Sequence, residues 1–221
     1  MSNSSLLDRF AALDSAAVSD ALDQLGLPSG VGGVRPVWGP TAVVGFAVTV
    51  GLEPRAEGPA GAHIATTAIE NSDDQSVIVV DNQGRSDVSC WGGILSLGAS
   101  LRGVRGVVAD GVCRDVAEAR ELDFPVFSRG SIPATARGRL QQRSLGQPVT
   151  VAGLTVEQGD VVLADESGLV VVPRDRAEEV AEIATGIVAR ERAIADEVRA
   201  GVPLSRAMHD ARLAGDKESV R

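Results

Sequence analysis

With 221 residues and a formal net charge of −9, the chain can bury one substantial core and is too acidic to favour nucleic acid or an anionic membrane as its main partner. It has no apolar run near the roughly 20 residues that span a bilayer, and its start, MSNSSLLDRF, lacks the charged and apolar segments of a secretory signal. A cytoplasmic protein with no nucleic-acid or membrane partner is the expectation.

The inventory of reactive side chains removes further classes of chemistry. Cys90 and Cys113 form no CxxC or zinc-ligand spacing, and His63 and His209 are too few for a His-rich metal site. All four read as ordinary packing or surface residues. Lys217 is the only lysine and lies in the polar stretch AGDKESVR, so a buried Schiff-base lysine and a Walker-type phosphate loop are both excluded.

In chain order, LLDRFAALDSAAVSDALDQLG carries apolar residues at helical spacing broken at Asp14-Ser15. It reads as two short helices, the second capped by Asp14 or Ser15 and stopped by Gly26 and Pro28. A glycine-rich connector leads to TAVVGFAVTVGL, a Val- and Thr-rich strand with a glycine bend. GAHIATTAIE reads as helix and QSVIVVDN as a strand that is apolar on both faces. WGGILSLGASLRG is a helix from about Gly92 to Gly103, followed by the strand GVVAD, the helix VAEARELDF and the strand PVFSRG. Then VTVAGLTVEQGDVVLADESGLVVVP gives three or four short strands joined by glycine turns, the pattern of a small barrel or sandwich element. A long amphipathic helix runs from Arg174 to Ala200 behind Pro173. The expected fold class is α/β, one domain over 1–221, with about 203–221 a flexible tail.

Two strand-to-helix junctions carry the chemistry. VIVVDNQGRSDVSCWGGIL and GVVADGVCRDV each end a buried strand in Asp and turn through glycine. Parallel strands bind ligands beyond their carboxyl ends. Gly92 and Gly93 open a helix whose free N–H groups can receive an anion, and the missing Cβ atoms allow close approach. Arg114 has the planar fork that grips a carboxylate, and Asp115 beside it is a hard oxygen ligand suited to Mg²⁺ or Mn²⁺. Such a set fits a 2-oxo acid whose keto oxygen the metal polarises, so that an enolate forms when a bond to C3 breaks. Aldol cleavage and oxaloacetate decarboxylation share that pyruvate enolate. Most adjacent Arg-Asp pairs are solvated charges worth less than about 1 kcal/mol, and at this level that reading stays open.

The segment WGGILSLGASLRGVRGVVADGVCRDVAEARELDFPVFSRG resembles the RraA-like family, which includes the class II 4-hydroxy-4-methyl-2-oxoglutarate aldolases. AVSDALDQLG and GDVVLADESGLVVVP resemble family segments in the same order, so the likeness covers residues 14 to 200. It implies a swivelling β/β/α-type domain with a long C-terminal helix, a homotrimer or hexamer, and sites at subunit boundaries. It also implies that Arg114 binds the pyruvyl carboxylate, that Asp115 binds the divalent metal, and that the loop Gly92, Gly93, Ile94 and Leu95 holds the substrate through its amides. Where the aldolases carry Asp, twenty residues, then Arg-Asp, this chain has Gly93. That departure removes a carboxylate that organises metal-bound water. Asp87 is a nearby stand-in, and oxaloacetate decarboxylation needs no such base.

The family also contains regulators that bind and inhibit an RNA-degrading endonuclease. They generally lack the Asp of the Arg-Asp pair and are shorter at the C-terminus, so Asp115 and the Arg174–Ala200 helix favour the enzyme branch. In the aldolases such a helix can bring a glutamate towards a neighbouring subunit's metal, a role for which Glu191 is the candidate here. A non-catalytic protein that engages a basic partner through its acidic surface is the alternative. A methyltransferase reading lacks the glycine-rich nucleotide loop and following acidic residue it needs.

Overall fold

In the computed structural model, residues 3–39, 41–57 and 63–209 are described. The chain opens with α1 (Asn3–Ala11) and α2 (Ser15–Gln24). Asp14 caps the second helix by accepting a hydrogen bond from Ala17 N at 2.8 Å, and Gly26 at φ +66° follows its end. Ser15 is used differently, its N–H and Oγ both donating to Asp165. Next come β1 (Arg35–Pro36), β2 (Val43–Pro54), α3 (Thr66–Glu70), β3 (Ser76–Ser89) and α4 (Gly93–Leu101). They are followed by β4 (Gly106–Val112), α5 (Val116–Glu121), β5 (Val126–Ser128) and β6 (Leu140–Leu145). The hairpin β7 (Val149–Val151) and β8 (Leu154–Val156) precedes β9 (Val161–Ala164) and β10 (Leu169–Val172). The long helix α6 (Ala177–Arg199) starts after a 3₁₀ turn at Arg174–Arg176, and α7 (Leu204–Ala207) follows it. Lys217 and the tail from residue 210 lie outside the described residues, as does the start of the helix expected from residue 61.

The result is a mixed α/β fold with a curled sheet and a long C-terminal helix. The sheet runs β1-β5-β4-β3-β2-β9-β10, with β2, β3, β4 and β5 parallel in sequence. β9 meets β2 antiparallel over Val43–Phe46 and β6 meets it from Val50 to Pro54, so β2 changes partner between Phe46 and Val50, and the β6 ladder shifts register at Gly51/Leu52. An irregularity of this kind bends a strand and lets a sheet curl. The β-rich C-terminal stretch is therefore not a separate barrel. Its last two strands complete the edge of the main sheet, and only β7 and β8 stand apart as a hairpin.

Side-chain parity assigns the faces, because successive residues of a strand point to opposite sides. From β2, Val44 and Phe46 pack with α1, α2 and α6, while Val48 and Val50 pack with α3 and α4. Val43 and Ala47 point the other way, onto the β7–β8 hairpin with Val77, Val79 and Val108. Both sides of the central strands are thus buried, which explains their unbroken apolar runs.

Parity also corrects the reading of the two aspartates. Asp81 and Asp110 do not end their strands but sit opposite each other inside the β3–β4 ladder. They share the hairpin side with Val79 and Val108. Each is buried and paired to an arginine, Asp81 with Arg143 at 3.1 Å and Asp110 with Arg129. Asp110 also accepts from Ala152 N at 3.0 Å, tying the hairpin turn to the sheet.

β3 runs past the expected end at Asn82 in an excursion through Gln83 (φ +57°) and Gly84 (φ +66°). From Asp81 to Ser89 it takes eight steps where β4 takes two, from Asp110 to Val112. The excursion brings Ser89 and the residues after it back beside the end of β4. Asp110→Ala should lower stability to urea by about 2 kcal/mol, through loss of a charged acceptor, and leave small-anion binding at the Arg114 cleft unchanged.

Candidate functional site

Backbone hydrogen bonds join the two junctions. Cys90 N donates to Val112 O and Arg114 N donates to Trp91 O, both at 2.9 Å, so the chain leaving β3 and the chain leaving β4 run on as a pair. Trp91 is the floor beneath them. It is buried, its Nε1 donates to Ser96 Oγ at 2.9 Å, and its ring stacks on Phe124 with centroids 6.4 Å apart. Cys90 and Cys113 are buried on the same stretch, and burial pushes the Cys90 thiol up to about 12. Both are packing residues.

Above this floor lies a cleft of about 400 Å³ whose wall includes Gly92, Gly93, Ile94, Leu95, Arg114 and Asp115. All six residues named from the Arg-Asp and glycine-loop segments therefore meet in one place. Asp115 takes a left-handed conformation, φ +58°, at the N-cap of α5, an uncommon state that Asp tolerates better than most residues. Its Oδ2 accepts from Gly93 N at 3.0 Å, and both of its oxygens lie 3.0 Å from Arg114 Nε. One of the two glycine amides expected to hold an anion is thus occupied by Asp115. Ile94 and Leu95 belong to the first turn of α4, whose N–H groups have no intrahelical partner and aim outward.

The two glycines are needed for different reasons. A Cβ on Gly92 would stand 2.8 Å from Asp115 Oδ2 and 3.0 Å from Arg114 Cγ, so any side chain there pushes on the pair. A Cβ on Gly93 would stand 1.6 Å from Glu118 Oε2, which means that the Glu118 carboxylate fills the space a side chain at 93 would need. This revises the expectation of a missing carboxylate. The chain lacks Asp at 93 and brings a carboxylate to the same spot from α5.

Asp87 does not join this set, and Glu191, expected beside a neighbouring subunit's metal, stands apart from the cleft of its own chain. Asp87 has a side chain 67% exposed, is bound to Arg85 at 2.8 Å, and lies outside the wall of the cleft. The Arg85 hydrogen bond holds its carboxyl below the usual range. Glu191 lines a separate groove between α6 and the turn after α1, beside Leu13 and Val188. Residues not singled out from the sequence complete the wall, among them His63, Thr66, Thr135 and Arg137. Glu118 was within reach of sequence reasoning, since three positions after Asp115 it falls on the same side of a helix. The 131–139 segment offered no periodicity, and it reaches the site through Ser89 N donating to Ala134 O at 3.0 Å.

Comparison with known proteins agrees with this architecture. The family model described as RraA-like, Aldolase/RraA, matches residues 15–171. A protein of Halalkalibacterium halodurans named "Putative 4-hydroxy-4-methyl-2-oxoglutarate aldolase" is 30% identical over 88% of this chain and 90% of its own length. Two other curated relatives are matched over only 33% and 61% of their own length, so this chain spans less than two thirds of each. The crystal structure of an uncharacterized protein from Pseudomonas syringae pv. tomato is 36% identical, with a TM-score of 0.84 over 92% of this chain and 96% of that one. Streptomyces coelicolor RraAS2, described as an unusual member of the RNase ES inhibitor RraA protein family, is 28% identical, with a TM-score of 0.77 over 85% and 94%.

Gly93→Ala should displace only the tip of Glu118, a flexible group. Its stability in urea is expected to stay within about 1 kcal/mol of the parent, since Ala is favoured over Gly in a helix by roughly that amount. A crystal structure of the variant that leaves Glu118 in place would contradict the packing described.

Proposed function

The chain belongs to the RraA-like, Aldolase/RraA family, and we propose that it is a divalent-metal-dependent lyase acting on small 2-oxo dicarboxylic acids through a pyruvate enolate. The observation that carries this reading is the convergence of Arg114, Asp115 and the first-turn residues of α4 on one cleft, with the Glu118 carboxylate beside Gly93.

The donor set fits a hard cation of the Mg²⁺ or Mn²⁺ kind. Asp115 and Glu118 both approach Gly93, and such ions are held through one or two carboxylates with water completing the shell. Among the described residues no group of three His, Cys, Asp or Glu side chains is placed to hold a metal, so water would complete the shell of an ion held by Asp115 and Glu118. When bound, the cation supplies Lewis-acid stabilisation of the negative charge that develops on the keto oxygen.

The chain's own groups do the rest. Arg114 donates to the carboxylate next to the keto group in a charge-assisted, two-pronged contact, and the amides of Ile94 and Leu95 fix its orientation. Buried Trp91 closes the floor against water. For decarboxylation the departing CO₂ leaves its electron pair at C3, and no base is needed. For aldol cleavage a base must take the hydroxyl proton, and Glu118 is the carboxylate set at the spot where the aldolase pattern has Asp.

The apolar side chains Ile94 and Leu101 of α4, 79% and 80% exposed, with Leu97 between them, support assembly into a homotrimer or hexamer that brings a subunit boundary to the edge of the cleft. No helix among the described residues is long and apolar enough to cross a membrane; the setting we propose for the enzyme is cytoplasmic. The likeness to RraAS2 supports a second reading, a binding protein that acts on an RNA-degrading enzyme.

Pyruvate release from oxaloacetate and from 4-hydroxy-4-methyl-2-oxoglutarate separates these readings. Both substrates should turn over with Mg²⁺ and stop with EDTA. Arg114→Ala should lower kcat/KM by a factor of about 100, in line with roughly 2–5 kcal/mol for a desolvated charge contact, and Asp115→Asn should no longer respond to Mg²⁺. Glu118→Gln should impair the aldol substrate more than oxaloacetate. Full activity in Arg114→Ala would reject the assignment, and silence on both substrates would favour the binding protein.

The assembly is checked by sedimentation. A mass of three or six chains is expected, falling when Ile94 and Leu101 are both replaced by Ser, and a monomeric parent would rule the assembly out.

A further inference from the structure

The cleft carries a second arginine that the reaction above does not use. Arg137 lines the same wall as Arg114 and comes from the turn that precedes β6. The backbone beneath it is well held. Arg137 N donates to Thr135 Oγ1 at 3.2 Å, while Arg139 N and Leu140 N both donate to Ala136 O at 2.9 Å. Arg139 Nη1 reaches Thr135 O at 3.1 Å, and Ser89 N anchors the turn to the end of β3 through Ala134 O.

The tip of Arg137 is different. Among the described residues its guanidinium makes no hydrogen bond and no ion pair, whereas Arg114 is paired to Asp115 and Arg85 to Asp87. An anion can therefore bind Arg137 without first breaking an existing pair. Its side chain is exposed and rises from a backbone held by those hydrogen bonds, so the guanidinium is open to a ligand in the cleft.

A 2-oxo dicarboxylate brings two carboxylates into a cleft of about 400 Å³. Arg114 accounts for the one beside the keto group. The other would enter without a counter-charge unless the wall provides one, and burying an unpaired carboxylate is costly. We infer that Arg137 binds this distal carboxylate and makes the site prefer dicarboxylic over monocarboxylic 2-oxo acids. The inference rests on the proposed function, since it takes Arg114 as the reader of the proximal end. Arg137 is a specificity residue, and the chemistry at the keto end does not pass through it.

Calorimetric binding of two unreactive probes tests this with saturating Mg²⁺: pyruvate, which has only the proximal half, and 2-oxoglutarate, which has both. The parent protein should bind 2-oxoglutarate about tenfold more tightly than pyruvate, the margin of one charge-assisted contact. Arg137→Met should erase that margin and leave pyruvate affinity within about twofold of the parent. Arg114→Met should weaken both probes together. The same Arg137 variant should lower kcat/KM for oxaloacetate mainly through KM.

An Arg137→Met protein that keeps its preference for 2-oxoglutarate overturns the inference, while Arg114-dependent pyruvate binding leaves the proposed function standing. Equal loss of both probes in Arg137→Met also overturns it, because Arg137 would then serve the shared proximal end. A parent protein that binds neither probe removes the proposed function and this inference with it.

Discussion

The pairing of the two chain segments that leave β3 and β4 is the constraint on which the cleft depends. Cys90 N to Val112 O and Arg114 N to Trp91 O extend a sheet ladder past the point where regular strands stop. Gly93 N to Asp115 Oδ2 then closes the gap with a side chain. Without this zip, Arg114 and Asp115 would be neighbouring charges on a solvated turn, where such a pair is worth little. With it, Asp115 stands at the start of one helix and its carboxylate accepts from the first residue of another. Each contact is modest, but together they hold a cation, a carboxylate and a helix N-terminus in one frame.

That frame explains why glycine at 93 is not simply a loss. The space beside residue 93 holds either a side chain at that position or the end of Glu118, and cannot hold both as placed. The chain uses the second arrangement. A carboxylate arriving on the longer, more flexible stem of Glu118 can swing beside Gly93, whereas a shorter Asp on the first turn of α4 would be held more tightly. The two solutions therefore supply the same charge with different freedom, a difference that bears on how a proton acceptor meets a substrate hydroxyl.

The opposite face of the sheet shows how the same residue types serve structure. Asp81 and Asp110 are among the most buried acids of the described residues, and each is answered by an arginine from a neighbouring segment. A buried carboxylate without a partner would be strongly destabilising, so Arg129, Arg143 and the Ala152 amide make these positions tolerable. What they give the fold is a clamp on the β7–β8 hairpin and on the β6 edge, on the side remote from the helices. Burial and charge pairing alone would have marked them as functional. Their side of the sheet argues against it.

Much of this was open to reading from local sequence. Helices α1, α2, α4 and α6 follow from apolar spacing and end signals, and the central strands from their apolar runs, because these patterns report the backbone's own periodicity. The Arg-Asp pair and the glycine turn were recognisable because their chemistry and their spacing sit within one continuous segment. Three features were decided only by tertiary structure. The direction of Asp81 and Asp110 depends on a strand continuing past the residue at which a turn was expected. The approach of Glu118 to Gly93 depends on where α5 packs, although the two are joined by a single β-α unit. The arrival of Thr135 and Arg137 depends on a hydrogen bond from Ser89 to a stretch with no repeating pattern of its own. A sequence states its local periodicities directly. It states contacts between separate segments only through the packing of everything between them, and that is where the remaining wall of the cleft was determined.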